Sequence, residues 1–427
     1  MDTKAWTSHS DLVRQSLTSD RLGRYYTSSN ISRTLVNAIV GISPKVVVEL
    51  GAGNGAIVNA ASEKWGKAKF ITVDADTTVV PQLIRLGHSH SHKHHVQDAL
   101  DDALAERIGL RLGSVDVGLC NPPYVRPKWR SSFGRILEDA GLSGALKSVH
   151  DAGADLLFIA QNLRLLKSQG KLGLVLPDGL ITGEKFQGVR SVLLREHLVE
   201  QVIQLPRRVF SKTEAQTYLM ILAKRGGETQ SVELRSMDVN GLLSSAIHVA
   251  ADIAARRLDY SYHSVSQTHN TLYSTRCLKL TLGEVTEDLI RGTLNSNQLE
   301  SLGFPVFHLS DFPLLESDSK APPVPTRFIR SQREYDALPA HIRVAKRGDI
   351  LIARVGRNLH RKICVLRKGT CVISDCVYAL RVAPDYRDAV LAYLTSSSGR
   401  QAIESVSHGV GARYLSRSDL LELVMLT

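Results

Sequence analysis

The chain has 427 residues, 43% of them hydrophobic and 22% charged, with a formal net charge of +11. That length suits about two or three domains with full cores, no apolar run approaches the roughly 20 residues of a membrane span, and the start Met1-Asp2-Thr3-Lys4 lacks a basic-then-apolar signal peptide, so a cytoplasmic protein away from membranes is expected. The five cysteines (Cys120, Cys277, Cys364, Cys371, Cys376) are scattered without a CxxC pair, which favours reduced thiols over disulfides or a zinc site, and the positive charge points toward a polyanionic partner.

Residues 2–22 are polar and suit one or two short helices. Gly23-Arg24-Tyr25-Tyr26-Thr27 precedes a helical pattern through Leu35, Val36, Ile39 and Val40. Lys45 to Leu50 reads as a strand rich in β-branched residues, running into Gly51-Ala52-Gly53-Asn54-Gly55-Ala56 and an Ala-rich helix to about Lys64. Strand, Gly-rich turn and helix make a nucleotide-binding opening of the Rossmann type. Gly51, Gly53 and Gly55 allow positive φ and close approach of the backbone to a ligand. Glu49, near the strand end, repels a pyrophosphate but can bind an ammonium through water, which tilts the ligand from a dinucleotide toward S-adenosylmethionine. Phe70 to Asp74 is the second strand, and Asp74 is placed to accept two ribose hydroxyls, with Asp76 the second choice. Val96-Gln97-Asp98-Ala99 reads as the next strand end, and Asp98 there is placed for the adenine amino group of the cofactor. Helix N-capping is the ordinary use of such aspartates; their recurrence after successive strands favours the ligand role. His88, His90, His92, His94 and His95 form a tract that reads as an exposed polar loop, and no metal is assigned.

Val115 to Cys120 is an apolar run that reads as a buried strand, and Asn121-Pro122-Pro123-Tyr124 follows it. Two prolines cannot extend a strand inside a sheet, so the chain leaves in a stiff turn. The turn offers an amide, a backbone carbonyl and an aromatic face. The Asn121 amide oxygen and the Pro122 carbonyl can each accept a hydrogen of one NH2 group while Tyr124 stacks on the ring that carries it. Two acceptors draw that nitrogen toward sp3 geometry and free its lone pair for attack. Arg126, Lys128 and Arg130, with Trp129 among them, suit either a nucleic-acid contact or a surface loop with a buried Trp. Further strands and helices alternate through Ala223, so residues 1–225 are expected to form one doubly wound α/β domain.

Residues 226–276 lose that rhythm and read as a connection with a helix near 241–256. From 277 to 427 short strands, prolines and glycines suggest a separate α+β domain. Between Arg343 and Lys368 nine basic residues face one acid, Asp349, and interleave with the strand residues Ile350 to Ala353. Such a run is usually a solvated face; on a strand it is displayed rigidly, which favours phosphate and base-edge contacts by Arg354, Arg357, Arg361 and Lys362.

With these residues in place, the first 225 or so resemble an N6-adenine DNA methyltransferase of the gamma arrangement. Gly23 to Thr27 resembles its tyrosine-containing first segment, with Ser28 where that family usually has proline. Glu49 to Gly55, Asp74 and Asp98 match its cofactor contacts, and Asn121 to Tyr124 its catalytic motif. Val209-Phe210 is similar to the segment whose ring stacks on the second face of a flipped adenine. Gly348 to Gly356, Ile373 to Tyr378 and Gly409 to Ser416 resemble target recognition domains of type I specificity subunits. The resemblance implies S-adenosylmethionine held by Tyr26, Thr27, Glu49, the three glycines, Asp74, Asp98 and Asn121. It implies catalysis by Asn121, Pro122, Tyr124 and Phe210 on double-stranded DNA in a restriction-modification or related defence setting, alongside a separate restriction endonuclease. Methylation of RNA or of a protein glutamine, and a DNA-binding specificity protein with a vestigial cofactor site, remain the alternatives.

Overall fold

The computed structural model describes residues 27–79, 91–210, 216–265, 279–295, 298, 305–315, 320–331, 333–334, 338–409 and 412–426. Its centre is a nine-stranded sheet in the order β3-β2-β1-β4-β5-β7-β6-β8-β9. The strands are β1 Val46–Leu50, β2 Lys69–Asp74, β3 His92–Val96, β4 Val115–Cys120, β5 Leu166–Pro177, β6 Leu198–Gln204, β7 Thr217–Ala223, β8 Ser231–Ser236 and β9 Ile247–Ala250. From β3 across to β5 all pairs are parallel; β7 runs antiparallel to both β5 and β6. Every residue of β4 and of β7 is buried, as expected of central strands covered on both faces.

Two helical layers supply that cover. On one face lie α1 Ser29–Ala38 and α2 Ala56–Lys64, with Ile31, Leu35, Ile57, Phe70 and Leu219 in one core. On the other lie α3 Ser131–Asp139, α4 Ala154–Leu165, α5 Asp178–Thr182 and α6 Gln187–Glu196, with Phe133, Leu157, Leu193 and Leu222 in a second core. Helix α1 settles directly on β5 because Gly173 has no side chain: a Cβ there would lie 2.9 Å from Ile39 Cδ1. The docking of α1 places Thr27, just before its N-cap Ser28, at the sheet's C-terminal edge.

Three expectations change. The strand expected at 96–99 lies earlier, at His92–Val96, so His92, His94 and His95 belong to an edge strand and not to a loop. His92 Nε2 and His94 Nδ1 share the Thr72 hydroxyl at 2.9 and 3.0 Å, and burial lowers the pKa of both rings. His88 and His90 lie outside the described residues, and among the described ones no group of three His, Cys, Asp or Glu side chains could hold a metal. The segment expected as a connection, 226–276, carries β8 and β9 into the sheet, and only the one-turn helix α7 Ala251–Ala254 stands where a helix near 241–256 was expected. Alternation decides this: Val232 and Leu234, then Ile247 and Val249, are buried while their neighbours are not.

The C-terminal region has its own core and its own strands: β10 Lys279–Thr281, β11 Thr286–Arg291, β12 Val344–Lys346, β13 Ile350–Ala353, β14 Val355–Gly356, β15 Ile363–Val365, β16 Thr370–Val372, β17 Val377–Val382, β18 Arg413–Tyr414 and β19 Val424–Leu426. An antiparallel sheet, β11-β17-β13-β15, is covered by α8 Arg387–Thr395 and α9 Ser397–Val406, followed by α10 Arg417–Leu421. Among the described residues no helix is long and apolar enough to cross a membrane.

Polar side chains join the two cores. Arg257, 5% exposed, bonds both Asp259 oxygens at 2.8 and 3.2 Å and donates to the carbonyls of Ser405 and Val406 at the end of α9. His408 bridges Thr182 Oγ1 at 2.9 Å and Asp419 Oδ2 at 2.7 Å. Arg190, 1% exposed, donates to the carbonyls of Leu180, Gly183, Ala255 and Arg256; burial, helped by the nearby Arg257 charge, pulls its pKa down to about 10. Removing it strands four carbonyls at once. Arg190→Ala is therefore expected to cost about 3–5 kcal/mol of stability in urea unfolding, and a loss under about 1 kcal/mol would contradict this role.

Candidate active site

The site begins with strand order. After β3 the chain returns to place β4 on the other side of β1, so β1 and β4 are neighbours whose following segments diverge, and the crevice at such a reversal is where α/β sheets bind ligands. The register sets Leu50 beside Cys120. The Gly-rich turn after β1 and the Asn-Pro-Pro-Tyr turn after β4 therefore adjoin, and between them opens a cleft of about 570 Å³.

Gly51, Gly53 and Gly55 all have positive φ, at +73°, +52° and +79°, the left-handed region that costs other residues energy. A Cβ on Gly51 would also meet the Phe158 ring at 3.3 Å. Gly51 and Gly53 line the cleft, while Gly55 shapes the turn as the N-cap of α2. Asp74 braces this turn: one carboxylate oxygen accepts Gly53 N–H and the other Asp76 N–H, each at 2.8 Å. Asp74 also lines the cleft. Glu49, 2% exposed, lines the cleft and accepts Val58 N–H at 2.8 Å. It has no cation partner among the described residues, and burial, with the Asp74 charge adding to it, pushes its pKa well up against the opposing Val58 bond.

Asn121 stands at the cleft with both ends of its amide engaged. Its Nδ2 donates to Thr27 Oγ1 at 2.9 Å, and Oδ1 accepts from Tyr124 Oη at 3.3 Å. Tyr124 Oη lies 3.4 Å from Val175 O as well, so its one proton serves either acceptor. Pro122 is buried and Pro123 lines the cleft. Tyr26 lies outside the described residues.

Several expected contacts sit elsewhere. Tyr124 does not line the cleft; its hydroxyl turns to Asn121 and β5. Phe210 is 2% exposed and packs in the core under α1, so it presents no face to a ligand here. Asp98 lines the cleft, but one oxygen accepts Leu100 N–H at 2.9 Å and the other pairs with Arg130 at 2.8 Å. Arg130 also lies over the Phe133 ring, and Trp129 packs on Phe133 and His150. Arg126 pairs with Asp151 at 3.0 Å. Lys128 alone of that segment's cations is exposed at the cleft mouth without an ion pair among the described residues. In the C-terminal sheet, Arg354 donates to Asp375 O, Arg361 to Leu315 O and Lys362 to Leu309 O. These three tie loops to the sheet; Arg357 is exposed.

Leu100, Val125, Ala154 and Phe158 complete the cleft wall and were not singled out by sequence. Phe158 sits in an apolar helix that reads as core, and only the approach of α4 to the Gly51 turn exposes its ring to the cleft.

Fold and cleft together define a Rossmann-like α/β protein with a ligand crevice at its switch point and an appended antiparallel β region. The family model for N-6 DNA Methylase matches residues 14–240, more than half of the chain, and the chain belongs to that family. It is 24% identical over 218 residues to the type I restriction enzyme MpnII methylase subunit of Mycoplasma pneumoniae, covering 47% of this chain and 40% of that protein. It is 23% identical over 240 residues to the type I restriction enzyme EcoEI methylase subunit of Escherichia coli, covering 52% and 47%. The matched part is thus less than half of either relative's length. The fold of almost the whole chain, 98%, resembles 60% of the type IIG restriction endonuclease BpuSI, with a TM-score of 0.51 and 13% identity.

Glu49 generates a pH prediction for the ligand-free protein. Its folded pKa is raised, so the native state holds a proton that the unfolded state has released. Its contribution to stability is complete below the ordinary carboxylate range and is lost as pH rises from there toward the folded pKa. Unfolding free energy measured against pH should fall across that window for the wild type and not for Glu49→Gln; parallel curves would show that Glu49 ionises freely in the folded chain.

Proposed function

We propose that this chain transfers a methyl group from S-adenosylmethionine to N6 of an adenine in duplex DNA. The observation that carries the reading is the Asn121 amide, held by Thr27 and Tyr124 at a cleft whose wall has a buried carboxylate with no cation partner among the described residues. Glu49 fits the positively charged end of that cofactor, the Asp74 carboxylate at the cleft wall fits its ribose hydroxyls, and Leu100 with Phe158 gives apolar wall for its base. The Asp98 contact to the adenine amino group requires Arg130 to release that carboxylate. When bound, S-adenosylmethionine supplies an electrophilic methyl that needs no metal.

The protein's part is orientation. The target base must leave the stack, because N6 is otherwise engaged in pairing. Asn121 Oδ1 and the Pro122 carbonyl then accept the two amino hydrogens, which turns the nitrogen lone pair toward the cleft. Tyr124, by keeping its hydroxyl on Asn121 or Val175, holds the amide oxygen in place. No base is needed for attack, because the displaced proton becomes acidic only as the nitrogen–carbon bond forms, and it leaves to solvent. A stacking role for Phe210 requires its loop to move on binding DNA.

We read residues from about 280 as the part that recognises DNA sequence, with Arg357 exposed to meet a base edge and Lys128 at the cleft mouth to meet a phosphate. Two relatives carry the name of type I restriction enzyme methylase subunits, which supports a restriction-modification setting and a separate endonuclease partner.

Radiolabelled methyl transfer to duplex DNA, RNA and protein acceptors tests the reading; label in RNA or protein but not in DNA would overturn it. Asn121→Ala is expected to lower transfer by at least about 100-fold while calorimetry still detects the cofactor. Near-wild-type turnover would remove Asn121 from the reaction.

A further inference from the structure

A second pocket, of about 320 Å³, opens between the sheet and the C-terminal domain. Its sheet side is built at the same C-terminal edge as the cleft: Asp178 follows β5, Gln204 ends β6, and Gln216 and Tyr218 start β7. The opposite wall comes from α9 and from Arg413 of β18. Tyr124 reaches Val175 of β5 from the catalytic turn, so the pocket lies one to three strand spacings from Asn121, on the order of 5–15 Å.

Two of the pocket's cations are paired with carboxylates, and its third carboxylate, Asp178, is bonded by neutral groups. Arg257 is closed on Asp259. Arg413, its side chain only 13% exposed, pairs with Glu404 at 3.0 Å. The Asp178 oxygens accept from Tyr218 Oη at 3.1 Å and Gly409 N–H at 3.2 Å. Arg207 is left over. It lines the pocket and is exposed to solvent on one side, with no hydrogen bond or ion pair among the described residues. The next residue, Arg208, has φ +62°, a left-handed conformation that a non-glycine residue holds at a cost; the turn that carries Arg207 is thus a defined one. Arg207 and Arg413, from different domains, line this one pocket; burial and then the Arg413 charge lower the Arg207 pKa, against the opposing pull of Glu404 and Asp178. An anion entering here meets the unpaired Arg207 and, if Glu404 yields, Arg413 as well, and planar guanidinium forks suit phosphate oxygens.

We propose that Arg207 and Arg413 hold a phosphodiester of the target strand close to the base presented to Asn121, so that bound DNA bridges the two domains at this pocket. This rests on the reading that the substrate is DNA. Neither arginine contributes to the cofactor cleft, and the segment that carries Arg207 also leads to Phe210. A phosphate drawn to Arg207 therefore pulls on the loop that must move if Phe210 is to meet a base.

The test is binding rather than turnover. Phosphate contacts do not depend on sequence, so a fluorescent duplex of about 30 base pairs of arbitrary sequence serves as the probe for the full-length chain, titrated at several salt concentrations. Arg207→Ala and Arg413→Ala are each expected to weaken binding several-fold at low salt and to reduce the slope of log affinity against log salt by about 0.9. Arg207→Lys should keep the slope and lose part of the affinity. Arg195→Ala, which removes an exposed cation of α6 paired with Glu196, should match the wild type. Arg207 is solvent-exposed and its substitution leaves the core intact, so its result stands even if Arg413→Ala unfolds. Wild-type binding with an unchanged slope in Arg207→Ala overturns this proposal alone. Absence of salt-dependent DNA binding by the wild type overturns it together with the DNA reading.

Discussion

The parallel pairing of β1 with β4 is the constraint on which the site depends. It sets Leu50 against Cys120 and so brings a turn of three left-handed glycines beside a turn stiffened by two prolines. Neither turn is a site alone. The Gly-rich turn lets a ligand approach the backbone, and Asp74 locks it through Gly53 N–H. The proline turn fixes where an amide oxygen stands. Side by side they offer one wall for a charged cofactor and one acceptor set for an amine.

Glu49 gives that wall its chemistry. A carboxylate 2% exposed and, among the described residues, without a cation is costly in its ionised form; the Val58 N–H bonds it there. A ligand that brings positive charge lowers that cost, so binding draws on free energy the ligand-free protein forgoes. The same logic holds on a smaller scale at Arg207, a cation of the second pocket without an ion pair among the described residues. In both places an unbalanced ionic group lies on the C-terminal edge of the sheet, where a substrate of opposite sign would complete it.

The basic residues divide into two kinds once their partners are seen. Arg190 and Arg257 are buried and saturated by carbonyls and carboxylates; they hold the connection and α9 against the sheet. Arg354, Arg361 and Lys362 brace loops of the C-terminal sheet. Lys128, Arg207 and Arg357 keep their charge for something else. A net charge of +11 therefore overstates the surface available to a polyanion, since many of these cations act inside the protein.

Much of the fold was legible in the chain itself, because it rests on local periodicity. The strands from Val46 to Ala223 other than β3, the helices after Gly55 and Gly153, and the turn at Asn121 follow from apolar runs, glycine and proline, whose effects act over a few residues; β3, His92–Val96, is polar and reads as a loop. Asp74, Glu49 and Asn121 were legible for the same reason: each stands at the end of a strand, and strand ends in such sheets face the ligand. The short alternating strands β8 and β9 were missed in a segment that looked like a linker, since β8 joins the sheet through β6, about 30 residues away in sequence, and β9 joins it through β8. What only the tertiary structure decided is which polar groups are already satisfied. Asp98 is held by Arg130, Phe210 lies in the core, Arg354 is spent on a carbonyl, and Arg207 and Arg413 line one pocket from opposite domains. Sequence states which charges and rings a chain carries; whether each is buried, paired or left over depends on groups tens to hundreds of residues away, and packing alone brings those together.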